Sequence, residues 1–224
     1  MVVKDYSLID GNVNDDNNGN VLDRPLERHI SINLATLSRR NDGAIAAIGA
    51  YEFDLDGDDS DGIVDSNYIY LPVDLRSAGR YSHIDGGVVS WWMRQDEARM
   101  ALLEGYPLHI VDAMVRLKTF ILYGENNPSE DMMQRAKEER QSDLSVKIWC
   151  EKQKDIPILE HAFNSCKIRM PWHFRNALDV RTSIYMAYGG FAELSKDLPL
   201  NPHPNHSGYD AWHQALSVQH CFAE

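Results

Sequence analysis

The chain is 224 residues long and 43% hydrophobic, and it carries 22 Lys and Arg against 34 Asp and Glu, a formal charge of −12. That length buries one sizeable core, so a single globular domain with appendages is expected, and no apolar run approaches membrane-spanning length. Residues 1–70 hold 5 basic and 14 acidic side chains, so −9 of the charge lies in the first third, which repels nucleic acid unless metal ions supply positive charge locally.

Cys150, Cys166 and Cys221 are odd in number and lack metal-ligand spacing, and Met1-Val2-Val3-Lys4-Asp5 is not a basic region leading into an apolar segment. A cytoplasmic setting with no membrane partner is the expectation. Residues 1–28 read as a polar acidic extension, because Asp10 to Asn20 is almost wholly Asp, Asn and Gly and cannot offset ordering entropy by burial. From His29 the pattern changes. His29 to Leu37 and Ala44 to Phe53 read as strands joined by the polar turn Ser38 to Gly43, and Ser66 to Val73 as a third strand after the acidic connection Asp54 to Asp65. These three predict an antiparallel meander.

Val88 to Leu103 spaces apolar residues at three and four and predicts one helix stopped by Gly105; His109 to Leu122 repeats the period before Gly124. Residues 125–143 are highly charged and are expected to be an exposed insertion, helical or irregular. Val146 to Cys150 reads as a short buried strand and Ile156 to Phe163 as the opening of a helix. Val180 to Tyr188 and Tyr209 to Phe222 read as helices separated by the Pro, His and Asn loop Leu198 to Gly208. Strands first, then strand alternating with helix, give an α/β fold with a central mixed sheet flanked by helices.

Six segments, taken in order, resemble one family: Ser31 to Ser38, Ala44 to Phe53, Ser90 to Arg99, Trp149 to Phe163, Pro171 to Asn176 with Asp179-Val180-Arg181-Thr182, and Asp210 to Ala215. Across residues 29–224 the chain is similar to the small phage and bacterial 3′–5′ exonucleases of the DEDDh class. The resemblance implies a ribonuclease H-like fold, with the meander extended by parallel strands. It also implies metal-dependent trimming of nucleic acid with Mg or Mn and, since relatives are often dimeric, a homodimer.

The chemistry sets its own demands. Two divalent cations roughly 4 Å apart activate water and stabilise the leaving oxygen of a phosphodiester, and carboxylates must hold them. Residues i and i+2 of a strand share a face, so an Asp-x-Glu pair sets two acids side by side. Where the family carries that pair, this chain has Asn33 and Ala35. Asn offers a neutral oxygen and Ala none, whereas magnesium prefers anionic oxygen. The third acid maps to Asp155, which also fits a plain helix cap. Its lead-in, Trp149 to Lys154, lacks the glycine and aromatic usual in the family, is about one residue short, and places Lys154 beside it. The general-base His should stand five residues before Asp210. That position is Asn205, with His206 one residue late, and loss of such a base costs ~10²–10⁴-fold in rate.

The degenerate positions are therefore Asn33, Ala35, Asp155, Asn205, His206 and Asp210, with Asp155 and Asp210 as weak metal candidates and no cofactor expected. An engineered inactivation accounts for Asn33 and Ala35 but not for the altered Cys150 to Lys154 segment. The expectation is a non-catalytic exonuclease homologue that binds or inhibits a protein partner, in the host cytoplasm if the chain is viral. One alternative is an active exonuclease recruiting Asp42, Glu52 or Glu151; the other is a nucleic-acid binder that does not cut. Candidates for an interaction surface are Asp54, Asp56, Asp58, Asp59 and Asp61, together with Trp91 and Trp92. The acidic run lacks the terminal Glu and helical flanks of a calcium loop, and His203 with His206 lacks nearby Cys partners for zinc.

Overall fold

The computed structural model describes residues 27–139, 145–151, 154–190, 194 and 198–223. The extension expected at the N-terminus, up to residue 26, and residues 140–144 of the charged segment lie outside them. Two long strands set the frame. Strands β1 (Arg28–Thr36) and β2 (Ile45–Phe53) pair antiparallel, with His29 opposite Phe53 and Asn33 opposite Gly49. Strand β3 (Tyr68–Pro72) runs antiparallel to β2, β4 (Val146–Cys150) parallel to β1, and β5 (Ala177–Asp179) parallel to β4. The sheet order is β3-β2-β1-β4-β5. It is a mixed five-stranded sheet flanked by helices, with the expected meander on one side of β1. Strand β5 escapes sequence reading because three residues carry no periodicity.

The described helices are α1 (Leu75–Ala78), α2 (Gly86–Arg94), α3 (Asp96–Leu102), α4 (Ile110–Tyr123), α5 (Glu130–Glu138), α6 (Asp155–Ser165), α7 (Val180–Tyr188) and α8 (Ser207–Phe222). Among the described residues, no helix is long and apolar enough to cross a membrane. Side chains alternate across β1. Ile30, Ile32 and Leu34 enter the larger core beside Met114, Leu117 and Phe120 of α4 and Leu159 and Phe163 of α6. The opposite face of the sheet meets α8. There the Ser31 hydroxyl donates to Gln214 Oε1 at 3.2 Å, and Tyr51, Trp149, Val180, Ile184, Trp212 and Leu216 form a second core. Both faces of β1 are thus covered, so its polar residues are buried with its apolar ones.

The single helix expected over Val88 to Leu103 is broken. Gln95 is extended (φ −100°, ψ 104°), closes α2 through a bond to Trp92 O, and precedes a first turn carrying Asp96 and Glu97. Carboxylates there face the positive end of the new helix, which favours restarting it over continuing the old one. In α3, Ala98 is buried while Met100 and Leu103 stay exposed. The described part of the charged segment is largely exposed and forms helix α5, but it is not detached from the core. Helix α5 packs on α4 with Ala136 fully buried, and the buried Lys118 donates through Nζ to Glu139 O at 2.7 Å.

One polar contact locks the sheet to α4. Arg28 Nε and Nη2 each donate at 2.5 Å to the two carboxylate oxygens of Glu52, and Nη1 donates to Ile121 O at 2.7 Å. The pair is partly buried, so truncation strands both Glu52 and a helix-end carbonyl. Arg28→Ala is expected to cost about 2 kcal/mol of stability in a denaturant melt, and Arg28→Lys to recover only part of it, because an ammonium lacks the planar fork.

Candidate functional site

Helix α8 descends onto the sheet at Gly49. A Cβ added there would lie 2.0 Å from Ser207 O and 2.3 Å from Gly208 N, so only glycine lets the first turn of α8 settle beside Asn33, the register partner of Gly49. The loop before that turn is thereby brought over β1. Asn205 adopts a left-handed conformation (φ 71°), which Asn tolerates better than most residues. Asp210 Oδ1 accepts from Asn201 Nδ2 at 2.9 Å and from the Asn205 backbone N–H at 3.2 Å.

Two cavities meet at Asn33, Asn205 and Asp210. One, of about 320 Å³, extends over Ala35, Arg39, Trp91 and Lys154; the other, of about 210 Å³, over Glu151, Val180 and His213. Four of the six positions singled out in the sequence therefore converge: Asn33, Ala35, Asn205 and Asp210. Asp155 does not line either cavity. It is 2% exposed in the first turn of α6, and the neighbouring Lys154 faces the groove in its stead.

His206 goes the other way. It is the N-cap of α8, 4% exposed, and its Nδ1 accepts from Gly208 N at 3.2 Å and Tyr209 N at 3.4 Å. The proton of the neutral ring therefore sits on Nε2, which lies 3.2 Å from Glu104 Oε2, and the ring packs against Tyr70. His206 therefore lines neither cavity of the groove, whereas Asn205, five residues before Asp210, lines both. Burial lowers the His206 pKa below the ordinary 6.5, with Glu104 opposing it in part. As pH falls through 6.5 the unfolded chain takes up this proton first, so His206 contributes stability that is complete above that pH and is lost below it. His206→Asn keeps a cap acceptor. It is expected to reduce the drop in Tm between roughly pH 7 and pH 5, the remaining slope including His29, whose pKa burial also lowers.

The groove's charge is mixed. Asp210 and Glu151 supply carboxylates, and Arg181 pairs with Glu151 at 3.3 Å; Arg39 and Lys154 supply cations. Among the described residues, no three His, Cys, Asp or Glu side chains gather where they could hold a metal ion. The donors at Asn33, Ala35 and Asn205 are an amide, a methyl and an amide, so the set does not fit a pair of divalent cations. Of the acids named as substitutes, Asp42 pairs with Arg40 at 2.8 Å in an exposed turn and Glu52 is held by Arg28; only Glu151 borders the groove.

Of the remaining sequence candidates, Asp54, Asp58, Asp59 and Trp92 make contacts within the fold. Gln219 Nε2 donates to Asp59 Oδ2 at 2.9 Å and Asp54 O at 3.0 Å, and Trp212 Nε1 to Asp59 O, so the acidic connection is fastened along α8. Asp58 accepts from Ser60 N, and Asp56 and Asp58 border a separate cavity near Phe222. Asp61 stays in the same connection, and none of these acids reaches the groove. Trp92 is buried and donates to Thr36 O at 3.0 Å, while Trp91 stands edge-on to it, 47% exposed over the groove. Asp179 caps α7 by accepting from Thr182 N and Oγ1, both at 2.7 Å. Sequence reading missed Arg39 and Gly49 as site residues. An isolated glycine inside an apolar strand run was the available signal for close backbone approach.

Comparison with known proteins bears on the family and the fold. The family described as 3′–5′ exoribonuclease Rv2179c-like domain matches residues 28–222, and no curated protein matches by sequence. Among solved structures, cell-death related nuclease 4 (CRN-4) superposes with a TM-score of 0.53 at 11% identity, covering 88% of this chain and 64% of that one. The chain thus spans less than two thirds of that protein. The nuclease domain of 3′hExo, a DEDDh family member bound to rAMP, gives a TM-score of 0.52 at 9% identity, covering 88% of this chain and 92% of that one. At such identities the likeness is one of fold, and it is the DEDDh exonuclease fold. With its match running from the first residue of β1 to the last of α8, the chain belongs to the Rv2179c-like 3′–5′ exoribonuclease domain family.

Proposed function

We propose that this chain is a non-hydrolytic member of its exonuclease family that works by binding a protein partner. The observation that carries the reading is the floor of the groove. Asn33 and Ala35 line a groove whose floor would need paired carboxylates, and Asn205, which this reading puts in place of the base, and Lys154 line it with them. Loss of the acids also removes the repulsion that clustered carboxylates suffer without metal. The test is incubation with end-labelled single-stranded RNA and DNA in Mg or Mn against a chelator control. No shortening above the control is expected, and metal-dependent trimming overturns the reading.

A second reading has its own support. Arg39, Lys154 and the exposed Trp91 border the groove, a combination suited to holding a strand end without cutting it. Such binding would weaken steeply with salt and fail in Arg39→Ala with Lys154→Ala. Absence of binding at low salt removes it.

A further inference from the structure

The loop that closes the groove on one side walls a different cavity on the other. Between α3 and the His203–Tyr209 segment lies a cleft of about 540 Å³ with Met100, Leu103 and Tyr209 among its apolar walls. Its charges are all of one sign: Asp96, Glu97 and Glu104 line it, and no Lys or Arg does. Asp96 pairs with Arg99 at 2.8 Å, and Glu104 faces His206, which its lowered pKa leaves uncharged near neutral pH. Glu97 belongs to no ion pair among the described residues. Leu103 on its wall is 70% exposed, and Tyr106, three residues further along the chain, is 94% exposed. Large apolar side chains left in water around an acidic cleft are the mark of a surface that a macromolecule covers.

We propose that this cleft receives an arginine side chain, flanked by aliphatic residues, from a protein partner. The guanidinium meets Glu97 and Glu104 at the rim and stacks on the Tyr209 ring, which already sits edge-on to His203 at 4.5 Å. The partner's aliphatic neighbours cover Met100 and Leu103. Arginine fits better than lysine because its planar cation stacks on rings and is more weakly hydrated than an ammonium. A nucleic acid fits worst, since its phosphates would meet three carboxylates and a single cation, Arg99, that Asp96 already pairs. The proposal rests on the reading that the chain works by binding a protein, and it assigns that binding to a face other than the groove.

The test uses the full chain and a short fluorescein-labelled peptide alternating Arg and Leu, read by fluorescence anisotropy and localised by backbone amide NMR. The peptide is expected to bind and to shift amides of α3 and of residues 203–209. Glu97→Gln with Glu104→Gln should weaken it about tenfold, as should Leu103→Ser, while Arg39→Ala with Lys154→Ala across the loop should not. A matched peptide with Glu in place of Arg should not bind. No binding, or equal binding by the Glu97→Gln, Glu104→Gln variant, overturns the proposal. So does equal binding by arginine amide alone, which would make the cleft a small-molecule site. Trimming of RNA or DNA would overturn the non-hydrolytic reading whatever the peptide does, so the two failures are distinguishable.

Discussion

Installing three side chains, Asn33→Asp, Ala35→Glu and Asn205→His, is expected to make the stability of the protein, and its trimming of nucleic acid, depend on added metal. Positions 33 and 35 share the α8 face of β1, and position 205 meets Asn33 and Asp210 where the two cavities join. In chelator the two new acids place charge at positions only 2% exposed, close to Asp210, and stability should fall by about 3 kcal/mol. Added Mg or Mn should restore it by binding only the native state. The strand pair alone should give metal binding with feeble trimming, and adding His at 205 should raise the rate by ~10²–10⁴-fold. Thermal melts with and without metal report the first effect, and an end-labelled RNA assay the second. A triple variant whose melting ignores metal would show that the groove is altered in shape as well as in charge, with Lys154 and the buried Asp155 the residues to examine next.

The second large effect is expected from a single methyl group. Gly49→Ala forces a Cβ against backbone atoms of Ser207 and Gly208, which cannot rotate aside as a side chain would. Either α8 rises off β2 or the strand bows, and both separate the second core. The cost should be about 3 kcal/mol, or roughly 6–12 °C in Tm for a domain of this size. Peptide binding in the cleft should weaken together with stability, because the same turn positions His206 and Tyr209. Gly86→Ala is the control. Nothing lies within 4 Å of the added atom at the start of α2, and stability should hold or rise slightly.

Much of this architecture was legible in the sequence, for physical reasons that also mark where legibility stopped. Strands β1 to β4 and helices α4, α6 and α7 announce themselves because a buried face imposes a period, and Gly124 ends α4 in the left-handed conformation that Gly favours. The break at Gln95 is set by a backbone turn that no apolar pattern records. The site was half legible. Spacing from Asp210 picked out Asn205, which lines both cavities of the groove, but the direction of His206 depends on the left-handed turn at Asn205 and on cap bonds one residue later. A residue offset by one position in a helix cap faces a different wall, and counting alone does not say which. Asp155, matched to the third acid by resemblance, is buried and lines neither cavity of the groove.

The bond between Ser31 and Gln214 spans 183 residues. Helix α8 packs on the β1 face carrying Ser31 and Asn33, so during synthesis that face must wait for the residues between β1 and α8 to emerge. Closing so long a loop is entropically unfavourable until α8 contributes Trp212, Ala215 and Leu216 at once. The groove and the cleft both hang on the first turn of that helix. Neither takes shape before α8 docks, and the docking that closes the second core is also the step that creates them.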